Sequence, residues 1–309
     1  MKRLRYSIII PHHNMPLLLK RLIDSIPQRD DTEEIVVDDN SDPNIVDFEM
    51  FPGYDRSDVR LCFDKKGGYG GYARNKGLDM AQGEWILFAD SDDFFMYCLN
   101  EVLNECYSLE DNVDLVFFSA CSLDCVNYTN TDRAKHVQNK IDGYSKDCQK
   151  YGNLLRYKFG EPWCKLARKS MIDKYHIRFE ERSIHNDTAY SYLVGYYARE
   201  IKVLPKAIYC ITDRGNSVSK VLTELKKLER IDNFATSALF FKSHNIPVDE
   251  NRHFLQLLEC YRTNKDTFNK GVDILKKHGY TARLIKIQLM KAVFYYIALR
   301  TKRMINNNK

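Results

Sequence analysis

Three times in its first hundred residues the chain runs a short apolar stretch straight into a polar or acidic cluster. Ser7–Ile10 stops at Pro11-His12-His13-Asn14, Glu34–Val37 at Asp38-Asp39-Asn40-Ser41, and Trp85–Ala89 at Asp90-Ser91-Asp92-Asp93. Val59–Phe63 reads as a further strand. Between these strands the spacing turns helical. Leu18, Leu19, Leu22, Ile23 and Ile26 predict a helix over Leu17–Ile26, and Tyr72–Met80 predicts another, closed near Gly83. Continuous apolar strands alternating with helices specify an α/β fold whose mostly parallel, Rossmann-like sheet is covered on both faces. Such sheets bind ligands beyond the carboxyl ends of their strands, which is where the clusters fall.

Further on, Val113–Ser119 predicts another strand, Asn127–Asp147 is polar enough to read as a loop, and Leu154–Ile177 mixes helix and loop signals. From Ser219 the pattern is helical and rich in Leu, Lys and Glu. The simplest layout is a body of residues 1–218 with a helical, basic extension of residues 219–309.

The net charge of +5 is mild and implies no nucleic-acid partner. It is unevenly placed: Leu258–Lys309 carries about +9 and the remainder about −4. A basic extension on an acidic body suggests peripheral contact with an anionic surface such as lipid headgroups. Lys286, Lys291 and Arg300 do not share one narrow helical face, however, so Leu284–Arg303 is not a clean amphipathic anchor. The rival is a helix packed on the body or on a second copy in a homodimer. The longest apolar run, Ala292–Leu299, is far short of the roughly 20 residues a membrane span needs, and the N-terminal apolar stretch is too short for a signal peptide. Nine irregularly spaced cysteines without a C-x-x-C pair fit free thiols in a reducing cytosol. The expected location is therefore cytoplasmic, with the inner face of the plasma membrane as a candidate surface.

Five carboxylates on one rim of a sheet repel one another unless a cation or ligand donors offset them. Asp90 and Asp92 can turn toward a common hard cation, and Mg²⁺ or Mn²⁺ suits this oxygen chemistry, with diphosphate oxygens among its other ligands. A competing fingerprint lies nearby. Gly68-Tyr69-Gly70-Gly71-Tyr72-Ala73 fits G-x-G-x-x-A, follows a strand, opens a helix, and has Asp90 about 20 residues on. That pattern describes an NAD-dependent oxidoreductase. Against it, two strand–cluster units already precede the glycines, and a pyrophosphate bound without metal would face Asp92 and Asp93.

Taken together these stretches resemble the family 2 glycosyltransferases of the GT-A fold, inverting enzymes of bacterial polysaccharide assembly. The resemblance rests on Ser7–Pro11 with Asn14, Glu34–Ser41, Ala73-Arg74-Asn75-Lys76-Gly77-Leu78 and Ala81–Asp93. It continues through Trp163–Leu166, Ile177–Phe179, Asn186–Thr188 and Asn216–Ser219. It implies a nucleotide-sugar-binding half (1–100), an acceptor-side half (101–218) and transfer from a nucleotide-sugar, a UDP-sugar by expectation. The receiving group would be a hydroxyl of a glycan or lipid-linked acceptor.

The resemblance also implies roles. Pro11, Asn14 and Ser91 fall on the donor side. Asp39 corresponds to the carboxylate that recognises the nucleobase, and Asp38 supports its loop. Asp90 lies on the donor ribose side, Asp92 ligates the metal, and Arg74 reaches the donor nucleotide. Asp187 stands where the family carries its general base. Asn186 replaces the usual Glu beside it, and losing that like charge should leave the base less basic. His12-His13 replaces a pair that often ends in Tyr. Asp93 is read as a cap on the following segment. Trp163, His185 and Arg214 are candidate acceptor or diphosphate contacts, with packing or a loop position as the rival for Trp163 and His185. A catalytically degenerate nucleotide-sugar-binding protein is the non-enzyme alternative.

Overall fold

The computed structural model describes residues 3–214, 223–248 and 251–307. The chain divides into two compact units: Met1–Arg182 with Asn186–Ser217, and Ser183–His185 with Val218–Lys309.

The first unit is built on one sheet. Its strands are β1 (Tyr6–His12), β2 (Thr32–Asp39), β3 (Val59–Asp64), β4 (Trp85–Phe88), β5 (Phe94–Phe95), β6 (Val113–Asp124), β7 (Lys165–Arg168) and β8 (Glu200–Asp213). The helices between them are α1 (Pro16–Ser25), α2 (Tyr69–Met80), α3 (Leu99–Glu105), α4 (Lys135–Tyr144), α5 (Cys148–Lys158), α6 (Lys169–Lys174) and α7 (Thr188–Tyr197). The strand order is β3-β2-β1-β4-β7-β6-β8-β5. β3, β2, β1 and β4 run parallel, as do β6 and β8, whereas β7 and β5 are antiparallel to their neighbours.

β1 is buried along its whole length, as a β-branched strand covered by helices must be. Pro11 costs it no ladder bond. Two residues earlier the carbonyl of Ile9 takes the N–H of Ala89, and at Pro11 the neighbouring β4 has already ended. Helix α2 lies close on this strand because Gly77 has no Cβ; one would stand 2.3 Å from Ile9 Cγ2.

Two departures from the sequence reading have physical causes. The polar stretch expected to be a loop holds α4, whose Val137 and Ile141 are buried one helical turn apart while most of its other side chains face solvent. The 14-residue β8 was not anticipated. Pro205 interrupts its pattern, but Phe118 pairs with Leu204 and Ser119 with Ala207, so Pro205 and Lys206 are accommodated as a bulge.

The second unit contains α8 (Glu224–Ser243), α9 (Asn251–Thr263), α10 (Lys265–Lys277) and α11 (Ala282–Asn307). They close on Ile231, Phe254, Leu257, Leu275, Tyr280, Ile285 and Ala292. Thr223 caps α8 through the N–H of Lys226, and Asn264 caps α10 through the N–H groups of Asp266 and Thr267. Among the described residues no helix is long and apolar enough to cross a membrane.

Candidate active site

The carboxyl ends of β1, β2 and β4 bring their polar clusters together. At the first two, the groups chiefly hold each other. Asp38 accepts from His12 Nδ1 at 2.7 Å, from the Ser41 N–H at 3.0 Å and from Ser41 Oγ at 2.5 Å. Burial alone would push this carboxyl up, but those hydrogen bonds outweigh it and hold the group below the ordinary range. Asn14, in the left-handed backbone region at φ 56°, accepts from the Asp42 N–H at 2.7 Å, and its own N–H meets Ser41 Oγ at 2.8 Å. Asn14 therefore ties two loops together. Asp39 accepts from the Gly68 N–H at 2.8 Å, which fixes the start of α2 beside the β2 end.

Beyond β4 the acids are gripped from several elements. The Asp90 N–H donates to Tyr209 Oη at 2.8 Å, and the Asp92 carbonyl accepts from Arg21 and from Thr212 Oγ1, both at 2.5 Å. Asp93 accepts from the Thr212 N–H at 2.7 Å. It is thus fastened to β8 and does not serve as a cap on the next segment. Burial, then the charges of Asp92 and Asp90, raise its pKa well above the carboxylate range. Burial and Asp90 likewise raise Asp92, while Arg214 opposes them with an ion pair of 2.5 Å to Asp92 Oδ2. Ser91 is buried. Tyr209, Thr212 and Arg21 carry no signal in the sequence that singles them out; two of them lie on the unanticipated β8.

Arg74 links this cluster to the turn before α7. Its NH2 pairs with Asp90 Oδ1 at 2.5 Å, its NH1 donates to Asn186 Oδ1 at 3.0 Å, and the guanidinium lies 5.4 Å from the Phe179 ring centre. Asp187 comes next, at the N-cap position of α7, but makes no side-chain capping bond, so its carboxylate is not spent on the helix. Burial lifts its pKa to about 6, against the pull of Arg74 and with further upward pushes from Glu161 and Asp90. Asn186 in place of a neighbouring Glu had pointed to a weaker base. Burial sets the group near neutrality, and the uncharged Asn186 adds no like charge to raise it further.

Another unanticipated group is Lys165, fully buried, with its amine donating to the Phe159 carbonyl at 2.6 Å and to that of Glu161. Burial brings it down to about 7, although Glu161 and Asp187 favour its charge.

Two candidates have other occupations. Trp163 is buried, stacked on Tyr209 at 5.6 Å and edge-on to Phe159, so its faces serve packing rather than a sugar. His185 belongs to the C-terminal unit, where Arg230 Nε donates to its Nε2 at 3.2 Å and Asn233 Nδ2 to its carbonyl at 3.2 Å. Asn216–Ser219 lies outside the described residues.

The glycine fingerprint also has a packing explanation. A Cβ on Gly68 would meet the Tyr72 side chain at 2.6 Å and one on Gly70 the Arg74 guanidinium at 3.0 Å, while one on the adjacent Gly71 would meet the Glu180 carbonyl oxygen at 2.0 Å. Gly68 and Gly71 are thus small for packing reasons, with no dinucleotide needed to account for them.

The hard-oxygen donors fit a divalent cation in one respect: Asp90 and Asp92 crowd each other and gain from a nearby positive charge. Among the described residues no group of three or more His, Cys, Asp or Glu forms a ready-made cage. Any such ion would therefore need oxygens from a ligand as well.

Comparison with known proteins agrees with this geometry. The glycosyl transferase family 2 profile matches residues 7–175, more than half the chain, so the chain belongs to glycosyl transferase family 2. It is a glycosyltransferase by that membership. It is 26% identical over 275 residues to EpsH of Bacillus subtilis (strain 168), a provisionally named glycosyltransferase, covering 85% of this chain and 73% of that one. It is 40% identical over 93 residues to the GalNAc(5)-diNAcBac-PP-undecaprenol beta-1,3-glucosyltransferase of Campylobacter jejuni, covering 29% of this chain and 30% of that one. The crystal structure of S. aureus TarS 1-349 in complex with UDP-GlcNAc superposes with a TM-score of 0.60 at 18% identity, covering 94% of this chain and 79% of that one. That likeness establishes the GT-A fold.

Proposed function

We propose that this chain transfers a sugar from a UDP-sugar to a hydroxyl of a glycan or lipid-linked acceptor, with inversion, in the assembly of a cell-surface polysaccharide in the cytoplasm. The observation that carries this reading is Arg74, held between Asp90 and Asn186 beside a carboxyl poised near pH 6. The similar TarS structure holding UDP-GlcNAc and the similar enzyme named for an undecaprenol-linked acceptor support the substrate classes.

Asp187 takes the proton of the acceptor hydroxyl as that oxygen attacks the anomeric carbon. A pKa near 6 leaves it ionised at neutral pH yet basic enough to hold the proton. The single displacement inverts the anomeric carbon. Arg74 and Arg214, fixed against Asp90 and Asp92, offer positive charge toward the departing diphosphate. Asp39, anchored on the Gly68 N–H, is the carboxylate assigned to the nucleobase in this reading. Mn²⁺ or Mg²⁺, held by Asp92 with help from Asp90, would neutralise charge developing on the leaving group.

A panel of UDP-sugars assayed with Mn²⁺ for release of UDP tests the reading. Turnover with at least one, lost in Asp187→Asn, is the expected result. Release of UDP unaffected by Asp187→Asn would overturn the base assignment, and stabilisation by NAD but by no nucleotide-sugar would overturn the class.

A further inference from the structure

Helix α11 is apolar on two opposite faces. Ile285 and Ala292 are buried in the core of the C-terminal unit, with Leu284 and Leu289 packed against it. On the far side Ile287 is 40% exposed, Met290 54%, Phe294 70% and Ile297 54%. At about 100° per residue these four lie within a stripe roughly 80° wide. They are not scattered surface residues. They continue for three turns on a helix whose other face already has its partner, and such a stripe marks an interaction surface.

The charges around the stripe identify the partner. Lys286 and Lys291, both exposed, project to either side of it, and Arg283 falls in line with it at the N-terminal end. The 26 residues of α11 hold six Lys or Arg and no Asp or Glu. Two copies packed through this face would bring together Arg283, Lys286 and Lys291 of each, six cations, with no acid on the helix to offset them. An anionic bilayer offers an apolar interior for Phe294 and Met290 and phosphate headgroups for the flanking amines, whose long stems reach outward. The even spread of Lys around the helix, which looked unfavourable in sequence, is what a helix with one face in a protein core and the other in a lipid surface requires.

We propose that α11 is an interfacial helix that docks this protein on a bilayer containing anionic lipid, with Ile287, Met290, Phe294 and Ile297 inserted and Arg283, Lys286 and Lys291 on headgroups. It does not span the membrane.

The test is flotation of the full chain with vesicles of phosphatidylcholine, with and without phosphatidylglycerol. The protein should float with the anionic vesicles, stay down with the neutral ones, and be released by salt. At about 1 kcal/mol per basic residue at such a surface, Lys286→Ala with Lys291→Ala should weaken partition roughly thirty-fold. Met290→Ser with Phe294→Ser should weaken it at least ten-fold at an unchanged melting temperature. Failure of the unmodified protein to float overturns the proposal, as does binding equal in all variants. A dimer in sedimentation that Met290→Ser with Phe294→Ser splits, without vesicle binding, would overturn it in favour of a second copy.

Discussion

Arg74 NH1 donates to the side-chain oxygen of Asn186 at 3.0 Å while its NH2 pairs with Asp90. Because an amide rather than a carboxylate receives the first bond, the guanidinium keeps more of its charge for Asp90 and the adjacent Asp187. Arg74 is the group that most lowers the Asp187 pKa against burial. In Arg74→Gln the acid limb of the pH–rate profile should therefore move above pH 6 by at least half a unit, and nucleotide affinity should fall about ten-fold or more. Rate profiles and a nucleotide titration read both effects. A limb that stays in place would mean Arg74 does not act on the base.

Asp187→Asn separates catalysis from stability. Loss of a general base should cost about 10²–10⁴ in transfer rate with donor binding retained. The effect on stability has the opposite sign. The folded-state pKa is raised from 3.8 to about 6, so ionising Asp187 costs the fold nothing below the lower value and its full penalty above the upper one. The variant should be the more stable protein at pH 8, by an upper bound of about 3 kcal/mol, and equal to the parent below pH 4. Denaturant melts at both pH values check this.

Legibility in the sequence tracked how local each signal was. β1, β2 and β4 are continuous apolar runs with their polar or acidic clusters directly after them, so both strand and site residue were visible in a few neighbouring letters. β8 was hidden by Pro205, and with it went Tyr209 and Thr212, whose partners Asp90 and Asp93 are 119 residues away. The poise of Asp187 was not legible in neighbouring letters, because burial is its largest cause and burial is set by the tertiary fold. Trp163 and His185 had the right chemistry for a sugar or phosphate contact, but long-range packing claims both.

Gly71→Ala tests how tightly α2 is packed at the glycine beside the fingerprint positions. The added Cβ would stand 2.0 Å from the Glu180 carbonyl oxygen and 3.0 Å from Asn186 Cβ. Backbone cannot yield cheaply at that distance, so about 2 kcal/mol or more of stability should be lost. The Arg74–Asn186 contact should be disturbed and transfer reduced along with it. A thermal melt unchanged from the parent would mean α2 is not packed this tightly.

The acids past β4 predict the response to metal. Burial first, then Asp90, raises Asp92, and Arg214 only partly relieves it. A divalent cation that joins these acids to a diphosphate should relieve the same repulsion. Stabilisation of the protein by UDP should therefore vanish on chelation with EDTA and return with Mn²⁺. Asp92→Asn should raise the Mn²⁺ concentration needed by at least ten-fold, if Asp92 is the ligand as proposed. Asp39→Asn should weaken UDP binding while leaving that Mn²⁺ requirement where it was, since Asp39 is engaged with the Gly68 N–H at the end of β2. Thermal shift measured over a grid of UDP and Mn²⁺ separates the two. UDP stabilisation that persists in EDTA would assign the diphosphate to Arg74 and Arg214 alone.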